Sequence, residues 1–133
     1  MQYSPKADRP AKTPPEQWFT GDVSLTPLIA APAPARLNAV SVTFSPGART
    51  NWHTHPLGQT LYITDGEGRA QKDGGPVIAL QPGDVIFFAP GERHLHGAAP
   101  DSAMTHIAMQ EADETGAHIH WEETRVSDAE YAG

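Results

Sequence analysis

The chain has 133 residues and a formal net charge of −7, from 9 basic and 16 acidic side chains, with no cysteine. That length builds one domain around one core, and the acidic balance argues against nucleic acid or an anionic membrane surface as partner. Without cysteine there is no disulfide framework, so any bound metal has to use nitrogen and oxygen donors.

Residues 1–17 are polar and carry Pro5, Pro10, Pro14 and Pro15, which predicts an N-terminal arm, either loose or laid over a neighbour. The opening Met1-Gln2-Tyr3-Ser4-Pro5-Lys6 lacks the apolar stretch of a leader peptide, and no apolar run approaches membrane-spanning length. A soluble cytoplasmic protein is the expectation. Trp18-Phe19-Thr20-Gly21 is the first apolar anchor, read as a packing plug, and Val23, Leu25, Leu28 and Ile29 follow around Pro27. Ala31-Pro32-Ala33-Pro34 reads as a stiff connector.

From Leu37 the pattern is all-β. Alternation over 38–44 puts Val40, Val42 and Phe44 on one face. Thr50 to His55 and Gln59 to Thr64 read as strands on either side of Pro56-Leu57-Gly58, while Asp65-Gly66 and Asp73-Gly74-Gly75 are hairpin signals. Val77 to Leu80 is a short strand. Val85 to Phe88 reads as a strand buried on both faces, followed by strands at His94 to His96 and Met104 to Gln110. His118 to Trp121 predicts a last strand at the surface or an interface, and Ser127-x-x-Glu130 caps a short C-terminal helical turn. Short strands, separated by turns drawn from 13 prolines and 12 glycines, favour a closed sandwich or barrel.

The chemistry concentrates in histidines. In an extended strand alternate side chains share a face, so His53 and His55 present two imidazoles to one interior. Gln59, Leu61 and Ile63 share a face of the next strand, as do His94 and His96, and His106, Ala108 and Gln110. Polar groups converging among apolar inward faces need partners, and a divalent cation is one way to supply them. A hydrogen-bonded core histidine is the alternative at each position.

The spacing Gly47-x5-His53-x-His55-x3-Gln59-x6-Gly66 resembles the first cupin motif, with Gln59 where glutamate is usual. Gly83, Gly91 and His94 fit the second motif, whose proline and asparagine positions carry Ala89 and Ala98. The resemblance implies a single-domain jelly-roll β-barrel over residues 18–133, with motif 1 at 47–66 and motif 2 at 83–98. It also implies a metal held by His53, His55, Gln59 and His94.

The runs Trp18-Phe19-Thr20-Gly21, His53-Thr54-His55-Pro56-Leu57-Gly58-Gln59-Thr60 and Pro90-Gly91-Glu92-Arg93-His94-Leu95-His96-Gly97-Ala98 are similar to the bacterial manganese-dependent cupin hydroxynitrile lyases. That similarity implies cleavage of cyanohydrins such as (R)-mandelonitrile to an aldehyde and hydrogen cyanide, and the reverse addition. It favours Mn2+, although Fe2+, Ni2+ and Zn2+ suit the same donors. Under this reading His96, with His106 as alternate, is the base. Thr50 and Gln110 orient polar groups, and Val40, Val42, Phe44 and Leu61 wall the substrate pocket. A homodimer or homotetramer is the expected assembly. The rival readings are a cupin dioxygenase using iron or manganese, which would consume oxygen, and a non-catalytic small-ligand or metal-binding module, which would turn over no cyanohydrin.

Overall fold

A computed structural model describes residues 1–132 as two antiparallel sheets closed face to face. The twelve strands are β1 (Phe19–Thr20), β2 (Val23–Ala30), β3 (Leu37–Phe44), β4 (Arg49–Thr50), β5 (His53–Thr54), β6 (Gln59–Gly66), β7 (Gly68–Lys72), β8 (Ile78–Leu80), β9 (Val85–Phe88), β10 (His94–Ala98), β11 (Met104–Glu111) and β12 (His120–Trp121), followed by the helix α1 (Asp128–Ala132). One sheet runs β2-β3-β11-β6-β9. The other runs β1-β4-β10-β5-β12, with β7 and β8 continuing from β10.

Inward faces follow the period-two pattern. Val42, Phe44, Leu61, Ile63, Phe88, Met104 and Ala108 meet in one core cluster, with Phe44, Leu61 and Ile63 fully buried. Strand β10 is buried on both sides. Its inward histidines face the barrel, and its Leu95 packs outside against Trp52, Val126 and Tyr131. The tail that covers this outer face is tied down by Arg49, which donates to the Val126 carbonyl at 2.6 Å and to Asp128 at 2.8 Å. The Tyr131 hydroxyl donates to the Ala98 carbonyl at 2.6 Å. Ser127 accepts from the Glu130 amide, the predicted cap at the start of α1.

Several local expectations are corrected. Asp65-Gly66 is no hairpin: β6 lies in one sheet and β7 in the other, so the chain changes sheets there. Gly66 takes φ 72°, and a Cβ on it would run into the carbonyl oxygen of Ala103. Gly66→Ala should therefore cost roughly 3 kcal/mol through backbone strain and forced displacement. An unchanged urea midpoint would show that this corner can yield.

Val85 to Phe88 is an edge strand whose Val85 and Phe87 are exposed at 63% and 59%. The run buries only one side because no layer covers the outer face of its sheet among the described residues. Thr50 to His55 is interrupted at Asn51-Trp52, which sends Trp52 outward and returns His53 inward. Pro27, without an amide hydrogen, sits in β2 at the sheet edge beside a bulge. Within the arm, Lys12 exchanges backbone hydrogen bonds at 2.8 Å with Leu25 of β2, so this part of it is neither loose nor laid over a neighbour but held on the chain's own barrel.

Candidate active site

His53 on β5 and His94 on β10 are direct cross-strand partners, which places their rings 4.3 Å apart. His55 follows two residues after His53, its ring 5.1 Å from that of His53. Gln59 enters at the start of β6, and its Oε1 lies 3.1 Å from His94 Nε2. All four side chains are buried.

Each of these imidazoles is aimed by a backbone carbonyl. His53 Nδ1 lies 2.9 Å from the Asn51 carbonyl, His55 Nδ1 2.6 Å from that of His118, and His94 Nδ1 2.8 Å from that of Glu92. A carbonyl only accepts, so each Nδ1 carries the proton. Burial holds His53 well below the usual imidazole range, aided by its neighbours His94 and His55. Burial likewise lowers His55 and His94 to about 4. Near pH 7 the three rings are neutral, and every Nε2 keeps an unprotonated lone pair.

A divalent cation fits this donor set. Buried His55 Nε2 has no hydrogen-bond partner. His94 Nε2 and Gln59 Oε1 confront each other as two acceptors, an unfavourable contact that a shared cation would relieve. Among the described residues, His53, His94 and His96 are the three histidines whose donor atoms all lie within 4.8 Å of one another, so this grouping takes in His96 where the motif resemblance takes in His55. The hydrogen-bonded Nδ1 and open Nε2 form the support that metal-bound histidines ordinarily have.

Beside these residues, His96 Nδ1 lies 3.1 Å from His106 Nε2. His96 Nε2 and His106 Nδ1 are buried without partners. Burial lowers both rings, His96 well below the usual range with His106 adding to the effect, and His106 to about 4. Thr50 Oγ1 accepts the His96 backbone amide at 3.2 Å, fixing the strand that carries this ring.

His53, His55, His96 and His106 open on a cavity of about 440 Å³, within the size range of small-molecule pockets, whereas His94 is fully buried and is not part of its lining. Val40, Val42, Phe44, Thr50, His53, His55, Gln59, His96, His106 and Gln110 line it, together bringing most of the sequence-predicted residues to one space. Two expectations change. Leu61, expected as a wall, is packed in the core and does not line the cavity. His118, expected on a strand at the surface or an interface, precedes β12, is half-buried and lines the cavity, while His120 of the same run is exposed.

Trp121, Trp18 and Asn38 also belong to the lining, where neither alternation nor the motif spacing points to them. Trp121 lies 4.5 Å from the His53 ring and stacks on Trp18 at 5.7 Å. It is delivered by pairing of β12 with β5, which Arg93 secures through two hydrogen bonds to Glu122. The Trp-Phe and His-Trp dipeptides were the only sequence signal, and each reads equally well as packing.

A doubly sheeted barrel with inward histidines is the architecture of the cupins. The family model for the cupin domain matches residues 40–109, and the chain belongs to that family. Among curated proteins it is similar to an (R)-mandelonitrile lyase of Granulicella tundricola, 56% identical over 117 residues, 88% of each chain. Among solved structures it resembles a cupin-like protein from Thermotoga maritima, with TM-score 0.82, 36% identity, and coverage of 90% of this chain and 89% of the other. A polyketide cyclase from Streptomyces resistomycificus shares the fold at TM-score 0.73 and 20% identity, covering 98% of this chain and 90% of that one.

Proposed function

We propose that the chain is a metal-dependent hydroxynitrile lyase, which cleaves (R)-cyanohydrins such as mandelonitrile to an aldehyde and hydrogen cyanide and catalyses the reverse addition. The observation that carries this reading is the 56% identity to the (R)-mandelonitrile lyase over 88% of both chains. The neutral donor set and the histidine pair on one cavity suit that chemistry.

His53, His55, Gln59 and His94 would hold the metal, with Mn2+ the favoured ion. A divalent ion held there supplies a Lewis acid for oxygen that develops alkoxide charge. Because all four side chains are neutral, none of that ion's charge is cancelled by its protein donors, whereas glutamate in place of Gln59 would cancel part of it.

The His96–His106 pair supplies the proton chemistry. Neutral His96, facing the cavity, accepts the cyanohydrin hydroxyl proton as the carbonyl forms and the carbon–carbon bond breaks, its electron pair leaving with cyanide. The resulting imidazolium returns the proton to cyanide, releasing hydrogen cyanide. Burial, which makes the ring a weak base, makes its protonated form a strong acid for that second transfer. Val40, Val42, Phe44 and Trp121 provide apolar surface for the aldehyde portion.

His96→Ala should lower kcat by about 10²–10⁴-fold with metal content retained. Loss of the metal together with the activity would instead make His96 a ligand. The defining test reconstitutes the protein with manganese, iron or zinc and follows cyanide and benzaldehyde release from racemic mandelonitrile. A manganese form no faster than its buffer blank would refute the reading for that substrate.

Outside the site, Tyr62, Val85 and Phe87 leave apolar surface at the β9 edge, which supports a homodimer or homotetramer, testable by sedimentation. The proposed setting is cytoplasmic, with no nucleic acid or membrane partner. No helix among the described residues is long and apolar enough to cross a membrane.

A further inference from the structure

Gln59 is an amide, and an amide has two ends. Rotated by half a turn, it would offer its NH2 group where its carbonyl oxygen now stands, with almost no change in shape. A glutamate at this position would present oxygen either way. A glutamine ligand therefore requires something to choose its orientation, and the surrounding residues contain such a device.

Gln59 Nε2 donates to Gln110 Oε1 at 3.1 Å, across directly paired positions of β6 and β11. Gln110 Nε2 donates in turn to Asn38 Oδ1 at 2.6 Å and to the Asn38 backbone carbonyl at 3.3 Å, across the paired positions of β11 and β3. The last partner decides the polarity. A side-chain amide can reverse, but a backbone carbonyl in a β-ladder can only accept. Gln110 must therefore point its NH2 at Asn38 and its oxygen at Gln59. Gln59 must then point its NH2 at Gln110 and its oxygen at His94, 3.1 Å from Nε2.

Reversing Gln59 alone would set two carbonyl oxygens against each other. Reversing both glutamines would move that conflict to the Asn38 carbonyl. Gln59 and Gln110 are buried, so water offers little relief to the mismatched groups.

We infer that Gln110 and the Asn38 backbone carbonyl are positioning groups that lock the Gln59 amide with its oxygen toward the histidines, making a neutral side chain a competent metal ligand. Without Gln110 the Gln59 amide can reverse and donate its NH2 to His94 Nε2, capping the lone pair a metal would use. The inference rests on Gln59 being a ligand, and it assigns Gln110 to orienting that ligand rather than to touching the substrate.

The test measures Mn2+ affinity of the metal-free protein by competition with a chromophoric chelator, so no turnover is needed. Gln110→Leu should weaken binding by about 10–100-fold, the usual effect of losing a partner behind a ligand. The same substitution in a Gln59→Glu background should change affinity by less than about 3-fold, because a carboxylate has no wrong end. Gln110→Glu, which when protonated still accepts from Gln59 and donates to Asn38, should bind more tightly than Gln110→Leu.

An equal loss from Gln110→Leu in both backgrounds would mean general packing damage and overturn the inference. So would unchanged affinity in the Gln59 background, or a Gln110→Glu loss as large as that of Gln110→Leu. Gln59→Leu separates the two levels: if it binds Mn2+ as tightly as the parent chain, Gln59 is no ligand, and the site assignment fails along with the relay.

Discussion

Replacing His53 with alanine should empty the site of metal and reduce mandelonitrile cleavage by at least about 10³-fold, equivalent to roughly 4 kcal/mol of barrier. His53 stands at the centre of the site, its ring 4.3 Å from that of His94, 5.1 Å from His55, 5.2 Å from His96 and 4.5 Å from Trp121. Its loss removes a donor and leaves a gap among these rings. The Asn51 carbonyl that accepted its Nδ1 proton also loses its imidazole partner. Bound metal measured by elemental analysis should fall in step with cyanide release. A metal-free His53→Ala protein with parental activity would remove the metal from the mechanism. The Arg93–Glu122 pair and the outer cluster around Trp52 lie on the other side of the strand, so the fold should survive.

Acid should unfold the metal-free protein steeply between about pH 6.5 and 4. His55, His94 and His106 each fall from 6.5 to about 4 on burial. With the folded-state values depressed, the unfolded chain binds more protons throughout this interval. The stabilising effect of keeping these rings neutral is therefore complete above pH 6.5 and is lost as pH falls toward 4. Each proton taken up on unfolding contributes about 1.4 kcal/mol per pH unit, so three acting together approach about 4 kcal/mol per unit. His53 and His96, held lower still, extend the trend. A domain of ordinary stability, about 5–15 kcal/mol, cannot absorb that slope for long. Bound Mn2+ should move the acid transition downward, because protons and metal compete for the same nitrogens. Denaturant midpoints from pH 7 to 4 would measure both effects. A metal-free midpoint that stays level below pH 6 would show that the buried rings are not neutral.

Much of the site was legible because side-chain placement along a strand is local. His53-x-His55 and His94-x-His96 declare a shared face by period two alone, and the turn residues around Gly58 and Gly91 mark where strands end. The second-motif departures at Ala89 and Ala98 did not disturb it: Ala89 lies in the turn and Ala98 closes β10 inside the core. The same period failed where burial depended on a covering layer. Val85 to Phe88 is apolar throughout, yet nothing in those four letters tells an edge strand with an open face from a central one.

Residue order alone carries the all-β domain, the exclusion of thiolate donors and the place of the neutral Gln59 beside the histidines. Composition, turn chemistry and alternation are properties of residues within a few positions of one another. Strand order and register in three dimensions settle which carbonyl holds each Nδ1 proton, that Trp121 faces His53, that Leu61 stays in the core, and that Gln59, Gln110 and Asn38 form one oriented line. Alternation assigns a side chain to a face but leaves the strand order and register open, and the amide line exists only where β6, β11 and β3 pair in register.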